Sequence, residues 1–321
     1  MSLLLLSKRF FSRASSSSRM AIKRRCFSSS SSADSSPAMV TCALNGVLTD
    51  PAKFNVPVTP DEMAEAAYGA YNEGASAVHI HFRDQRAKKG HLPTWEPDVA
   101  ARVTDAIKTR CPDIIINYTT GTIGDEGVFG GGDLGPVGGP VSCLEAGRPH
   151  MAAMNAGSLN YLRATSKGGK WAWPPMMFGN PVEKIQQMVD AMERLDIVPE
   201  CECFDTGIVR SIKMFHQVGI LKKPIHLSLV MGVASGMPAK TEWLPLLLDE
   251  IDDDVHWQVI AIGRQDEVWP LLRRASELGG NVRTGLEDTF YLPDGTRAET
   301  NAQLVAELVK VVRETGREPA R

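Results

Sequence analysis

The chain has 321 residues, of which 43% are hydrophobic and 23% are charged, so it can bury the core of one large α/β barrel or of two smaller domains. Seven of its 35 basic residues and none of its 38 acidic residues precede Asp34, which leaves 28 basic against 38 acidic residues, a net charge of −10, for the rest. Such an acidic body argues against nucleic-acid binding, and no apolar run approaches the ~20 residues that cross a bilayer.

The first 38 residues differ in composition from the remainder. They are rich in serine, lysine and arginine, and Asp34 is their single acidic residue. This composition is typical of an organelle transit peptide. The segment 25–28 resembles a mitochondrial processing site, although serine richness also suits a plastid, and a disordered tail without an address is the alternative. We predict a disordered mitochondrial transit peptide over residues 1–38 and a catalytic domain over residues 39–321.

The catalytic domain opens with a strand, a helix and a second strand. The apolar run 39–44 ends at an Asn-Gly turn pair and is the first predicted strand. Thr59 then offers a helix N-cap, and Glu62 follows three residues later, as in a capping box. The predicted helix runs to Asn72 and leads into the apolar run 77–82. This spacing indicates a βαβ unit.

The alternation continues to the end of the chain. Further strands are predicted at 114–118, 150–154, 198–204, 225–230, 256–262 and 281–284. Helices are predicted at 97–110, 182–195, 208–218, 241–248 and 267–276, and a last helix carries apolar residues at helical spacing, Leu304, Val305, Leu308, Val311 and Val312. Eight strands with intervening helices predict a TIM (β/α)8 barrel. An open doubly wound sheet is the alternative, although no GxGxxG motif follows the first strand.

Two histidines end the second predicted strand. Side chains alternate between the two faces of a strand, so His79 and His81 point the same way and two imidazoles can share one metal ion. The carboxyl end of a barrel strand is also where TIM-barrel enzymes build their active sites. A pair of packed or hydrogen-bonded histidines is the alternative.

An acidic pair, Glu287-Asp288, follows the eighth predicted strand. In a closed barrel only the first strand separates the eighth from the second, so Glu287 can face His79 and His81. Two histidines and a carboxylate with an open fourth position form a catalytic zinc arrangement. Solvated loop acids are the alternative for this pair.

Several separate motifs after residue 39 resemble, in the same order, those of the β-keto acid cleavage enzymes, a family that includes 3-keto-5-aminohexanoate cleavage enzyme. These motifs are His79-Ile80-His81, residues 114–121, Met154-Asn155-Ala156-Gly157, residues 199–202, Gly263-Arg264, residues 283–288 and residues 301–305. The resemblance implies a zinc-dependent TIM-barrel acyltransferase that condenses a β-keto acid with acetyl-CoA and releases acetoacetate and a new acyl-CoA. It also implies a homo-oligomer, with a tetramer expected.

The resemblance assigns a role to each matching position. His79, His81 and Glu287 correspond to the zinc ligands, Asp288 to the general base and Arg283 to the residue that positions it. Thr119 corresponds to a serine that binds the substrate carboxylate, and Thr122 to a glycine that lines the same pocket.

Two positions depart from the family pattern. Leu48 stands where the aminohexanoate-cleaving members carry a glutamate for the substrate ammonium, and because an apolar side chain cannot pair with a cation we expect a neutral or apolar substrate tail. Ala153 replaces a threonine beside the substrate, and Asn155 is a possible substitute for it.

The glycine-rich stretch 130–140 follows the third predicted strand, on the active-site side, and is either a lid over the substrates or a flexible surface loop. Two rival functions remain open from the sequence. A zinc hydrolase would use the same three ligands to activate water. A barrel that has lost catalysis would act as a binding protein, but it would have no use for Asp288 beside a metal.

Overall fold

A closed barrel of eight parallel strands forms the centre of the computed structural model, which describes residues 36–46, 49–121, 138–172 and 175–320. In chain order the barrel strands are β1 (Val40–Ala43), β2 (Ala77–Ile80), β3 (Ile115–Thr119), β4 (Met151–Asn155), β7 (Val198–Cys203), β8 (His226–Met231), β9 (His256–Ala261) and β10 (Asn281–Thr284). Each pairs with the next, and β10 pairs with β1. The predicted TIM barrel is confirmed, and its strand boundaries agree with the structure to within two residues.

Eight helices lie in the described part of the chain and alternate with these strands. They are α1 (Pro60–Asn72), α2 (Pro97–Arg110), α3 (Gly138–Gly147), α4 (Val182–Arg194), α5 (Thr206–Gln217), α6 (Trp243–Leu248), α7 (Gln265–Glu277) and α8 (Asn301–Glu314). The predicted capping box is present, because the Thr59 hydroxyl accepts from the Glu62 amide at 3.3 Å and Glu62 Oε2 accepts from the Thr59 amide at 2.9 Å. The predicted apolar face of α8 is buried and packs on β1 and β10.

Two features were not expected from the sequence. Helix α3 begins inside the glycine-rich stretch 130–140, so residues 138–140 are helical rather than a loop, and residues 130–137 lie outside the described chain. Glycine disfavours a helix, but burial of Cys143 and Leu144 against the neighbouring elements outweighs that preference. An antiparallel hairpin, β5 (Leu159–Tyr161) with β6 (Met176–Phe178), also follows β4, and its strands are too short for a periodic signal.

The two faces of the barrel strands differ in chemistry. Residues that point outwards, such as Val78, Ile80 and Ile116, are fully buried under the helices. Several that point inwards are buried and polar, among them Thr41, Asn117, Glu200, Ser228 and Gln258. A TIM barrel usually fills this space with branched apolar side chains. Across the described residues, no helix combines the length and the hydrophobicity that a membrane-spanning segment requires.

Candidate active site

A cavity of about 510 Å³ lies at the carboxyl-terminal ends of the barrel strands. Part of its lining, which we call the polar side, consists of His79, His81, Thr119, Asn155, Arg283 and Glu287. Another part, the apolar side, consists of Phe204, Val230, Val233, Ile260 and Ile262. Because TIM-barrel active sites are built at this end of the strands, this cavity is the candidate active site.

The polar side brings together the three predicted metal ligands. The Nε2 atoms of His79 and His81 lie 3.3 Å apart. Glu287 Oε1 lies 3.2 Å from His81 Nε2, and Glu287 Oε2 lies 3.8 Å from His79 Nε2. All the ligand atoms of the group lie within 4.8 Å of one another. The barrel therefore closes as expected, with Glu287 facing the histidine pair across β1.

These three residues fit a divalent metal ion. Burial holds the pKa of His79 well below its ordinary value, so its imidazole is neutral, as a ligand must be. Burial alone would raise the pKa of Glu287, but Arg283 and the two histidines lower it well below its ordinary value. Glu287 Oε2 is buried and has no hydrogen-bond partner among the described residues. Two imidazoles and a carboxylate leave a fourth position open, as catalytic zinc sites do.

Local backbone contacts hold the ligands in place. The Asn45 side chain donates to the His81 carbonyl at 3.0 Å and accepts from the His81 amide at 3.1 Å, which fixes the end of β2. Gly46 has a φ of +54°, and a Cβ there would lie 2.6 Å from Glu287 Cγ. Gly285 has a φ of +145°, and a Cβ there would lie 2.1 Å from the Ala43 carbonyl oxygen. Both positions require glycine so that the chain after β10 can turn Glu287 into the cavity.

A buried arginine–aspartate pair lies beside the ligands. Arg283 Nε donates to Asp288 Oδ2 and Arg283 Nη2 donates to Asp288 Oδ1, each at 2.9 Å, in the bidentate geometry that suits guanidinium and carboxylate. Arg283 Nη2 also lies 3.0 Å from Glu287 Oε1. Burial raises the pKa of Asp288, against the lowering effect of Arg283, so the carboxylate is a stronger base than in water. One guanidinium thus links the predicted base to a predicted metal ligand.

Glu202 lies where the polar and apolar sides meet, and no role was predicted for it. Its Oε1 lies 3.8 Å from Arg283 Nη1. Burial raises the pKa of Glu202 to about 8, despite Arg283. The side chain is therefore protonated at neutral pH and can donate a hydrogen bond into the cavity. The sequence did contain a signal for its inward position. Glu200 and Glu202 are two residues apart and so share a face of β7, as His79 and His81 share a face in and after β2.

The predicted substrate-binding residues have mixed outcomes. Thr119 and Asn155 both line the cavity, on the carboxyl-terminal ends of β3 and β4. Asn155 Oδ1 is buried without a hydrogen-bond partner among the described residues, which fits a group that meets a ligand. Thr122 and Leu48 lie outside the described residues. No role was predicted for Tyr161, Arg163 and Phe178, which reach the cavity from the β5–β6 hairpin and its flank.

The fold and this site define a (β/α)8-barrel protein with a candidate three-residue metal centre beside a buried arginine–aspartate pair. The sequence matches the beta-keto acid cleavage enzyme family over residues 37–321. It is 31% identical to the 3-oxoadipate:acetyl-CoA acetyltransferase of Cupriavidus necator, over 88% of this chain and 90% of that protein. It is also 31% identical to the 3-keto-5-aminohexanoate cleavage enzyme of Acetoanaerobium sticklandii, over 87% of this chain and 93% of that protein.

Among solved structures, apo ObcA superposes with a TM-score of 0.64 at 18% identity, covering 83% of this chain and 63% of that one, a likeness that shows the fold alone. The chain belongs to the beta-keto acid cleavage enzyme family, as its motifs predicted. It is accordingly an enzyme of the acyltransferase class.

Proposed function

We propose that this chain converts a β-keto acid and acetyl-CoA into acetoacetate and a new acyl-CoA, with Zn²⁺ as its metal ion. The observation that carries the proposal is the convergence of His79, His81 and Glu287 in one cavity, where Arg283 also lines the wall and holds the buried Asp288 behind it. A metal site alone would suit many reactions. A buried base beside it suits removal of a proton from carbon.

His79, His81 and Glu287 would hold the metal ion. When bound, Zn²⁺ would supply Lewis acidity to the keto oxygen and the carboxylate of a β-keto acid. Thr119 and Asn155, on the same side of the cavity, would bind the substrate carboxylate and fix its orientation. Two imidazoles and a carboxylate also accept other divalent ions, so the choice of zinc rests on the ligand types.

Asp288 would remove a proton from the carbon between the keto group and the carboxylate. Arg283 donates two hydrogen bonds to Asp288, which holds the carboxylate ionised and directed. The resulting carbanion attacks the thioester carbon of acetyl-CoA, and the CoA thiolate leaves. The thiolate then attacks the original keto carbon, and the bond from that carbon to the former methylene breaks. The leaving group is the enolate of acetoacetate, which takes back from Asp288 the proton removed in the first step.

The two sides of the cavity suit the two substrates. The oxygens of the β-keto acid need the polar side, on β2, β3, β4 and β10. The apolar side, at the ends of β7, β8 and β9, is then left for the acetyl thioester, which carries no charge. Leu48 supports a neutral or apolar tail on the β-keto acid, because it offers no partner to an ammonium group.

A panel of β-keto acids tests this function. The purified full chain would be incubated with Zn²⁺, acetyl-CoA and each acid, and acyl-CoA products would be identified by mass spectrometry beside a His79→Ala control. We expect a new acyl-CoA in equal amount to acetoacetate, lost in the control. Product formation without acetyl-CoA would replace the proposal with a hydrolase, and bound zinc without turnover would favour a binding protein.

We also propose that residues 1–38 direct the chain to the mitochondrion and that the enzyme is a homotetramer. The basic, serine-rich composition of residues 1–38 supports the mitochondrial address. The family match begins at residue 37, after nearly all of this segment. The localisation of a fusion of residues 1–38 to a fluorescent protein tests it, with a plastid signal as the opposing result. Light scattering of the purified protein tests the tetramer.

A further inference from the structure

A cluster of five buried polar side chains fills the barrel interior next to His79. We call Thr41, Asn117, Glu200, Ser228 and Gln258 the buried polar cluster. These residues come from five different strands, and each is at most 4% exposed. Removing each of these polar groups from water costs free energy, which hydrogen bonds within the cluster must offset. The direction of those hydrogen bonds therefore indicates the role of the cluster.

Glu200 is the centre of the cluster. Its Oε2 accepts a hydrogen bond from Asn117 Nδ2. Its Oε1 accepts from the Ser228 hydroxyl and, at 2.7 Å, from Gln258 Nε2. Gln258 Oε1 in turn accepts from the Thr41 hydroxyl at 3.2 Å. The Glu200 carboxylate therefore accepts hydrogen bonds from Asn117, Ser228 and Gln258. None of the residues of the buried polar cluster is a predicted metal ligand.

Glu200 decides which way the Asn117 amide points. Because Glu200 Oε2 accepts from the NH₂ group of Asn117, the Oδ1 atom of Asn117 is turned away from Glu200. Asn117 and His79 are direct partners in the register of β3 and β2. Asn117 Oδ1 and His79 Nδ1 are both buried, and among the described residues neither has a partner within strict hydrogen-bond geometry. The register places the two side chains next to each other on the inward face of the barrel.

We propose that Glu200, acting through Asn117, is a positioning residue that keeps the proton of His79 on Nδ1 and so leaves Nε2 free to bind the metal ion. Nε2 is the nitrogen that faces His81 and Glu287. A proton on Nε2 would block that ligand position. The inference rests on the proposed metal site, and it assigns a role to Glu200, which is neither one of the three ligands nor one of the residues that line the cavity.

The variant Glu200→Gln tests this role, because glutamine has nearly the same size and shape as glutamate. Ser228 and Gln258 still require an acceptor, so the new amide oxygen stays with them and the new NH₂ group faces Asn117. Asn117 must then turn its own oxygen towards position 200 and its NH₂ group towards His79. His79 Nδ1 now has to accept a hydrogen bond, which moves the proton to Nε2.

The double variant Asn117→Asp with Glu200→Gln restores the arrangement. The carboxylate moves to position 117, where one oxygen accepts from the amide at position 200 and the other accepts from His79 Nδ1. Ser228 and Gln258 keep an acceptor. The two substitutions exchange one carboxyl and one amide, so volume and formal charge are unchanged. Ser228→Ala is the matched control, because it removes a hydrogen bond from Glu200 without altering what Asn117 faces.

Two readouts separate the inference from the proposed function. In full-length protein freed of metal with a chelator, ¹⁵N NMR of labelled histidine reports the His79 tautomer, assigned by loss of its signals in His79→Ala. We expect Nδ1–H in wild type, in Ser228→Ala and in the double variant, and Nε2–H in Glu200→Gln. Competition with a chromophoric chelator then measures Zn²⁺ affinity, which should fall about 10- to 100-fold in Glu200→Gln and recover in the double variant.

An unchanged tautomer in Glu200→Gln, in protein shown to be folded by its thermal transition, would overturn the inference. An affinity that falls in the double variant as far as in Glu200→Gln would also overturn it, since that pattern indicates loss of packing alone. Failure of the metal site itself has a different signature, namely that wild type and His79→Ala bind Zn²⁺ equally. The tautomer measurement does not depend on that result.

Discussion

The polar and apolar sides of the cavity are both formed by the carboxyl-terminal ends of barrel strands, but one carries polar side chains and the other carries apolar ones. On the polar side, inward positions of β2 and β10 carry His79 and Arg283, and His81 follows directly after β2. On the apolar side, inward positions of β8 and β9 carry Val230 and Ile260, which are at most 2% exposed. The barrel scaffold is common to both, so the reaction resides in a few strand ends. The comparison predicts that substitutions on the polar side abolish metal binding or chemistry, whereas those on the apolar side alter the binding of one substrate.

Loss of a metal ligand should have the largest effect. We expect His79→Ala to lower kcat by at least about 1,000-fold, because Lewis-acid stabilisation is worth several kcal/mol. Metal content, measured by elemental analysis of the purified protein, should fall in parallel. His256→Ala is a matched control, since this exposed histidine begins β9 at the opposite end of the barrel. Equal losses in both variants would show that the effect is not specific to the site.

Loss of the base should separate chemistry from metal binding. We expect Asp288→Asn to lower kcat about 100- to 10,000-fold while metal content stays at the wild-type level. Arg283→Lys should lower kcat less, because lysine retains the charge but cannot form the bidentate contact. Steady-state kinetics with elemental analysis checks both variants. A fully active Asp288→Asn would assign the proton transfer to another group.

One substitution on each side should split the two Michaelis constants. Thr119→Val removes a hydroxyl from the polar side and should raise KM for the β-keto acid about tenfold, with little change for acetyl-CoA. Ile262→Asp places a charge on the apolar side and should raise KM for acetyl-CoA about tenfold, with little change for the β-keto acid. Initial rates with each substrate varied in turn measure both constants. The reverse pattern would exchange the substrates between the two sides.

The smallest effect concerns Glu202, at the junction of the two sides. Its pKa is raised by burial to about 8, so the folded chain keeps a proton that the unfolded chain loses above about 4.5. The folded state is therefore destabilised as pH rises from about 5 to 8. We expect Glu202→Gln to abolish this contribution and to gain on the order of 1–3 kcal/mol relative to wild type across that range.

Urea unfolding at pH 5 and pH 8, in the presence of a chelator, measures the Glu202 difference. Glu183→Gln, an exposed position on α4, is the control and should behave as wild type at both pH values. If the two glutamine variants show the same pH dependence, Glu202 is ionised in the folded protein at neutral pH.

Most of the barrel could be predicted from the sequence because the signals are local. The capping box at Thr59 and the apolar face of α8 each lie within a few residues of chain, and both are present in the structure. The β5–β6 hairpin and α3 escaped prediction for the opposite reason. The hairpin strands have three residues each, and α3 is stabilised by burial rather than by its glycine-rich sequence.

The sequence by itself determined the alternation of strands and helices, the shared face of His79 and His81, and the family, since these depend on backbone periodicity and on short motifs. Tertiary structure alone decided that Glu287 lies 3.2 Å from His81, that burial raises the pKa of Glu202, and that Glu200 accepts a hydrogen bond from Asn117. Distances between residues on different strands arise only when the barrel closes. Burial, which sets pKa values and orients buried amides, has the same origin, so local sequence patterns do not contain this information.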